Sequence, residues 1–149
     1  MNAFDLLKED HKKVADLLEK LEPTTERAVK TRDELFTRLN NELEVHAAIE
    51  EQIFYPAIKE AEETRDITLE ALEEHRIVKQ FLRELSSTPK DSETWTAKLT
   101  VLKENIEHHV EEEEGEMFKK ARKVLTDKQV EELGARMEAA KKKLSASAR

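Results

Sequence analysis

The chain has 149 residues, enough for one domain with its own core. Charged residues make up 40% of it, with only two glycines, three prolines and 5% aromatics, so β-sandwiches, barrels and doubly wound sheets lack their turn formers and an all-α fold is expected. The net charge of −8 disfavours nucleic-acid and anionic membrane partners, and the absence of cysteine excludes thiol catalysis, disulfides and Cys-ligated metal.

Phe4, Leu7, His11, Val14, Leu18 and Leu21 recur at spacings of three and four and predict a first helix that Pro23 closes. After a polar stretch to about Lys30, the series Leu35, Leu39, Leu43, His46, Glu50, Ile53 and Ala57 marks a long second helix, continuing to about Glu62 and kinked at Pro56. A third, from about Arg65 to Ser86, carries Leu72, His75, Val78, Leu82 and Leu85 and stops at Ser-Ser-Thr-Pro. The fourth starts near Ser92 with Trp95, Leu99, Leu102, Ile106, His109, Glu113 and Met117 in line. A fifth opens on the capping box Thr126 to Gln129 and runs Val130, Leu133, Met137, Ala140 and Leu144, and the closing SASAR is expected to fray.

Short connections set consecutive helices side by side, which predicts an up-down-up-down antiparallel four-helix bundle over residues 1–125. Residues 126–149 then form a short extra C-terminal helix and tail, lying across the bundle or making an oligomer contact. The N-terminus has no basic segment leading into an apolar core, and no apolar run approaches the roughly 18 residues needed to span a bilayer. A soluble, cytoplasmic chain is expected.

The sequence repeats itself. Sliding the chain so that His11 falls on His75 also lays Val14 on Val78, Leu18 on Leu82 and Leu21 on Leu85. A similar slide lays His46 on His109, Glu50 on Glu113 and Glu51 on Glu114. The bundle therefore reads as two copies of one helical hairpin, each contributing a histidine and then H-x-x-x-E, with two equivalent half-sites facing across a pseudo-two-fold axis.

Those six residues occupy positions where a bundle calls for Leu, Ile or Val. A lone histidine on an apolar stripe is ordinarily a hydrogen-bonded core residue. Two buried carboxylates among four imidazoles are different, because an uncompensated buried charge costs several kcal/mol, on the order of what a whole domain has to spare. Cations meet the need, since imidazole nitrogen and carboxylate oxygen suit iron and its neighbours, and residues four apart on a helix reach one cluster. Outside the six, Tyr55 reads as a hydrogen-bond donor to the cluster or as packing, and Glu42 as a partner fixing an imidazole tautomer or as a solvent-facing charge. His108 and Glu111–Glu114, Glu113 apart, read as solvated, as do Lys141–Lys143, which complement the last helix's dipole. Gly115 is a tolerated surface glycine or a gap beside the site.

D-H-x-x-V at Asp10–Val14, H-A-A-I-E-E-Q-I-F-Y-P at His46–Pro56, E-H at Glu74–His75 and H-V-E-E-E-E-G-E-M-F at His109–Phe118 together resemble the hemerythrin-like, or HHE cation-binding, domain family. The resemblance covers roughly residues 1–125 and implies a four-helix bundle with a non-heme di-iron centre. Its ligands would be His11, His46, Glu50, His75, His109 and Glu113, with Glu50 and Glu113 as bridges. The cofactor would be two iron ions, oxo- or hydroxo-bridged, with other divalent metals as alternatives. Oxygen-carrying members have H-x-x-x-H on the third helix, whereas Lys79 stands four after His75 here. One nitrogen ligand is missing, which sets simple oxygen carriage aside and favours reaction with or sensing of O2, peroxide (H2O2) or NO. Catalase-like peroxide breakdown and ferroxidase activity are the enzymatic expectations. An iron sensor or storage module without turnover is the alternative, and a metal-free helical interaction domain the third.

Overall fold

The computed structural model describes residues 1–147, and among these every regular element is helical. They are α1 (Ala3–Leu21), α2 (Val29–Ile49), a wide π turn at Glu50–Phe54, α3 (Tyr55–Lys59), α4 (Glu62–Ser87), α5 (Glu93–Glu112), a second π turn at Glu113–Met117, α6 (Phe118–Val124) and α7 (Asp127–Ser147). The four expected bundle helices correspond to α1, α2 through α3, α4, and α5 through α6. Local chemistry sets their starts. Asn2 accepts from the Asp5 N–H at 2.9 Å, Ser92 caps α5 by accepting from Trp95 N–H, and Thr126 and Gln129 form the reciprocal capping box ahead of α7.

Two apolar clusters sandwich a polar layer. One gathers Phe4, Leu7, Phe54, Ile58, Phe118 and Met137, and the other Val14, Leu18, Phe36, Leu39, Leu102 and the fully buried Trp95. Each such side chain contributes roughly 1.5–3 kcal/mol by leaving water. Beyond the second cluster, the buried Arg32 guanidinium donates to Thr24 and Lys90 carbonyls and to the Thr24 and Thr96 hydroxyls, and stacks 4.7 Å over Trp95. The stretch after Pro23 that reads as polar linker thus holds one end of the bundle shut.

The second helix departs from α geometry, and the departure begins before the proline. Tyr55 N–H donates to the Glu50 carbonyl five residues back, and Phe118 does the same to Glu113. Pro56, with no N–H, helps slacken the first ladder; the second π turn contains Gly115 and no proline. Each turn admits one extra residue, so the buried face moves on by one. Phe54 and Ile58 are buried where Ile53 and Ala57 are expected, Ile53 being half-buried and Ala57 exposed. In the first half of the same helix Phe36 is buried and Leu35 only partly so.

The fifth helix packs on the bundle. Val130, Leu133 and Met137 join the cluster of Phe4 and Leu7, and α7 lies against α1 and α2. Gly134 makes the approach close, since a Cβ there would stand 2.3 Å from the Met1 carbonyl oxygen. Helix continues through Ser147, past the point where fraying is expected, and the final two residues of SASAR lie outside the described residues. No helix among the described residues is long and apolar enough to cross a membrane.

Candidate metal centre

The polar layer is built by the four histidines and two glutamates of the repeats. His11 comes from α1, His46 from α2, His75 from α4 and His109 from α5, all buried, while Glu50 and Glu113 open the two π turns with 0% and 1% exposure. The Nε2 atoms face the carboxylates. Glu50 Oε1 stands 3.1 Å from His46 on its own helix and 3.0 Å from His75 across the bundle. Glu113 repeats the pattern, with Oε2 3.2 Å from His109 on its own helix and Oε1 3.0 Å from His11 across it. The His11–His46 and His75–His109 ring centroids are each 5.0 Å apart, so the sequence repeat has become a structural one.

The layer's ligand-capable atoms fall into two groups that share Glu50. His11, His46, Glu50 and Glu113 can place one atom each within 4.8 Å of one another, as can Glu50, His75 and His109. His46 Nε2, His109 Nε2 and both Glu50 oxygens have no hydrogen-bond partner, although His46 and Glu50 are near neighbours. Buried polar atoms are otherwise almost always satisfied. Orphaned imidazole and carboxylate atoms converging on one layer fit a cation; a hydrogen-bonded core would have used them up.

The outward Nδ1 atoms each have a carboxylate. His46 donates to Asp10 at 2.9 Å, His11 to Glu114 at 2.6 Å, His75 to Glu51 at 2.8 Å and His109 to Glu74 at 2.7 Å. Such bonds fix each ring with Nε2 inward. The partners obey the repeat as well, Asp10 matching Glu74 and Glu51 matching Glu114. Glu114 is therefore not part of a solvated acidic face, and Asp10, not Glu42, holds His46. The repeat that pairs Glu51 with Glu114 contained this signal. Lys141 likewise leaves the solvated lysine face and pairs with Asp10.

Further groups complete the surroundings. Tyr55, 1% exposed, donates to Glu113 Oε2 at 2.7 Å and lies 3.2 Å from His75 Nε2. On an unbroken α-helix it would stand about 140° around from Glu50, so the π turn delivers it. Lys79 Nζ is 2.8 Å from Glu51, which in turn holds His75. His108 is exposed, and Gly115 has open space around it.

The layer's charges are strongly coupled. Burial works against protonated His46, but Glu50, Asp10 and Glu113 prevail and raise it to about 10. His75 and His109 are likewise raised by their carboxylates against the effect of burial. Hydrogen bonding from His75, with Lys79 beside it, holds Glu51 down at about 2. Burial and the neighbouring Glu113 and Glu50 keep the Tyr55 phenol protonated far above neutral pH.

A helical bundle whose mid-layer presents clustered imidazoles and carboxylates offers the donor set that a cation would need. The family model described as Hemerythrin HHE cation binding domain matches residues 2–121, and the chain belongs to that family. The Mycobacterium tuberculosis protein Rv2633c is 32% identical over 140 residues, covering 93% of this chain and 84% of its own. The crystal structure of an HHE cation binding domain-containing protein from Mycobacterium kansasii, an Rv2633c homolog, superposes with a TM-score of 0.87 at 31% identity, covering 99% of this chain and 89% of that one. A Nostoc protein named DNA nickase is 26% identical over 144 residues, and this chain spans 40% of its length.

Proposed function

We propose that the chain holds two iron ions, one by His11 and His46 and one by His75 and His109, with Glu50 and Glu113 serving both, and that it binds or transforms small oxygen species. The observation that carries this is the set of unpartnered buried atoms on His46, His109 and Glu50. Bound there, a redox-active pair supplies Lewis acidity and electron transfer toward O2, peroxide or NO.

The chain's own contribution is exclusion and orientation. All four histidines border a cavity of about 50 Å³ whose other walls include Val14, Leu43, Val78 and Ile106. A water needs roughly 10–15 Å³ of such space, so the cavity has room for a few waters, a diatomic or a peroxide. Its walls are largely aliphatic, with Glu44 and Lys79 also lining it, and such surroundings strengthen electrostatics inside. Tyr55 presents a phenol that stays protonated at neutral pH, a hydrogen-bond donor fixed between Glu113 and His75. It stands on the half of the layer where Lys79 leaves a nitrogen ligand short.

Steady peroxide decomposition by iron-loaded protein, faster than by equal free iron, tests the catalytic form of this reading. Iron retention without turnover would instead favour the sensor or storage module. The acidic surface leads us to propose no nucleic-acid partner, which duplex DNA retention at physiological salt would contradict.

A further inference from the structure

The family match ends at residue 121, before α7 begins, yet α7 reaches the polar layer. Asp10 is 1% exposed, and its two oxygens are divided between His46 Nδ1, at 2.9 Å, and the Lys141 ammonium. Lys141 is the cation that α7 supplies to this carboxylate, which is buried and otherwise has only the His46 ring nitrogen as a hydrogen-bond partner. The placement is built into the helix. Gly134, Met137 and Lys141 recur at three and four, so one face carries all three. Gly134 lets α7 touch the start of α1, Met137 is fully buried, and Lys141 follows two turns on.

We infer that Lys141 is a positioning residue for the metal centre, holding Asp10 so that Asp10 holds His46, and that α7 thereby sets the properties of the His11–His46 half-site alone. No equivalent reaches the other half by this route. Glu74, the repeat's counterpart of Asp10, is backed by the exposed His108, at 3.7 Å, and carries no lysine. A bare surface ion pair would contribute little, but here one partner is buried and bonded to a ring that lines the layer. The inference rests on the two-ion reading and concerns only how one ion is kept.

The test uses full-length protein loaded anaerobically with two equivalents of Fe2+, with release into a ferrous chelator followed over time. Wild-type protein should hold both ions. In Lys141→Met one ion should leave about 10–100-fold faster, the size typical of losing a partner behind a metal-binding histidine, while the other leaves at its wild-type rate. Lys141→Arg should restore the slow phase. Asp10→Asn should show the same one-ion effect, and adding Lys141→Met to it should change little further, because both act through one path. Equal acceleration of both ions would mean that Lys141 only supports the fold and would overturn the proposal, as would unchanged release in Lys141→Met or full additivity with Asp10→Asn. Wild-type protein that never takes up two ions would instead sink the two-ion reading.

Discussion

The two half-sites share a plan and differ in their supports. In each, two imidazoles stand 5.0 Å apart, turn Nε2 inward and lean on a carboxylate from behind. Behind His11 and His46 stand Glu114, with 35% of its side chain exposed, and the buried Asp10 with Lys141 from a helix outside the repeat. Behind His75 and His109 stand Glu51 with Lys79, and Glu74, all at least partly exposed, and Tyr55 reaches across to that half. Duplication explains the shared plan. The differences come from positions the repeat does not govern, so the proposed ions would sit in one frame with unlike affinities and neighbours.

Removing what the halves share should have the largest effect. Glu50→Ala or Glu113→Ala is expected to abolish binding of both ions, as metal analysis would show, and to lower the melting temperature measured with iron present much more than that measured without it. Equal losses in the two forms would count against ligation. Breaking one half comes next. His11→Ala and His75→Ala should each lose one of two equivalents, and loss of both from either would mean that the halves do not bind independently.

Tyr55→Phe should sharpen the contrast without emptying the site. Metal content is expected to stay at wild type while peroxide turnover falls by about 10–100-fold, less than or near the lower end of what a positioned proton donor contributes. Unchanged turnover would reduce the phenol to packing.

In the metal-free protein pH should act on both halves, with smaller effects. His46 is raised from 6.5 to about 10, so its contribution is complete below 6.5 and is lost as pH rises through about 10. Glu51 is lowered from 4.5 to about 2, so its contribution is present above 4.5 and is lost as pH falls toward 2. Melting temperature against pH should therefore fall less steeply at the alkaline end in His46→Gln, where the raised His75 and His109 still titrate, and less steeply at the acid end in Glu51→Gln, where the lowered Asp10 and Glu74 still do. In loaded protein the sign at the histidines reverses, because metal requires neutral imidazoles, and acid should release it.

The same contrast marks how far the sequence could be read. His11, His46, Glu50, His75, His109 and Glu113 were legible because two copies of one pattern break the apolar stripe in the same places, and the structure brings all six into one layer. The π turns were not, since a 3.6-residue period is assumed in reading the stripe and one extra residue leaves no gap in it. That is why Ile53 and Ala57 stood in for Phe54 and Ile58. Asp10, Glu74 and Glu114 look like any surface acid from one helix alone; only the packing of a second helix gives them a ring nitrogen. Lys141 lies 131 residues from Asp10, and nothing local couples them.

Mössbauer spectroscopy of protein loaded with 57Fe, together with its iron-to-chain ratio, tests at once the proposed dinuclear centre and the unlikeness of its halves. Two iron ions per chain and two quadrupole doublets of equal area are expected. A reproducible ratio near one would contradict the dinuclear centre, and a single doublet at a ratio of two would contradict the inequivalence of its halves.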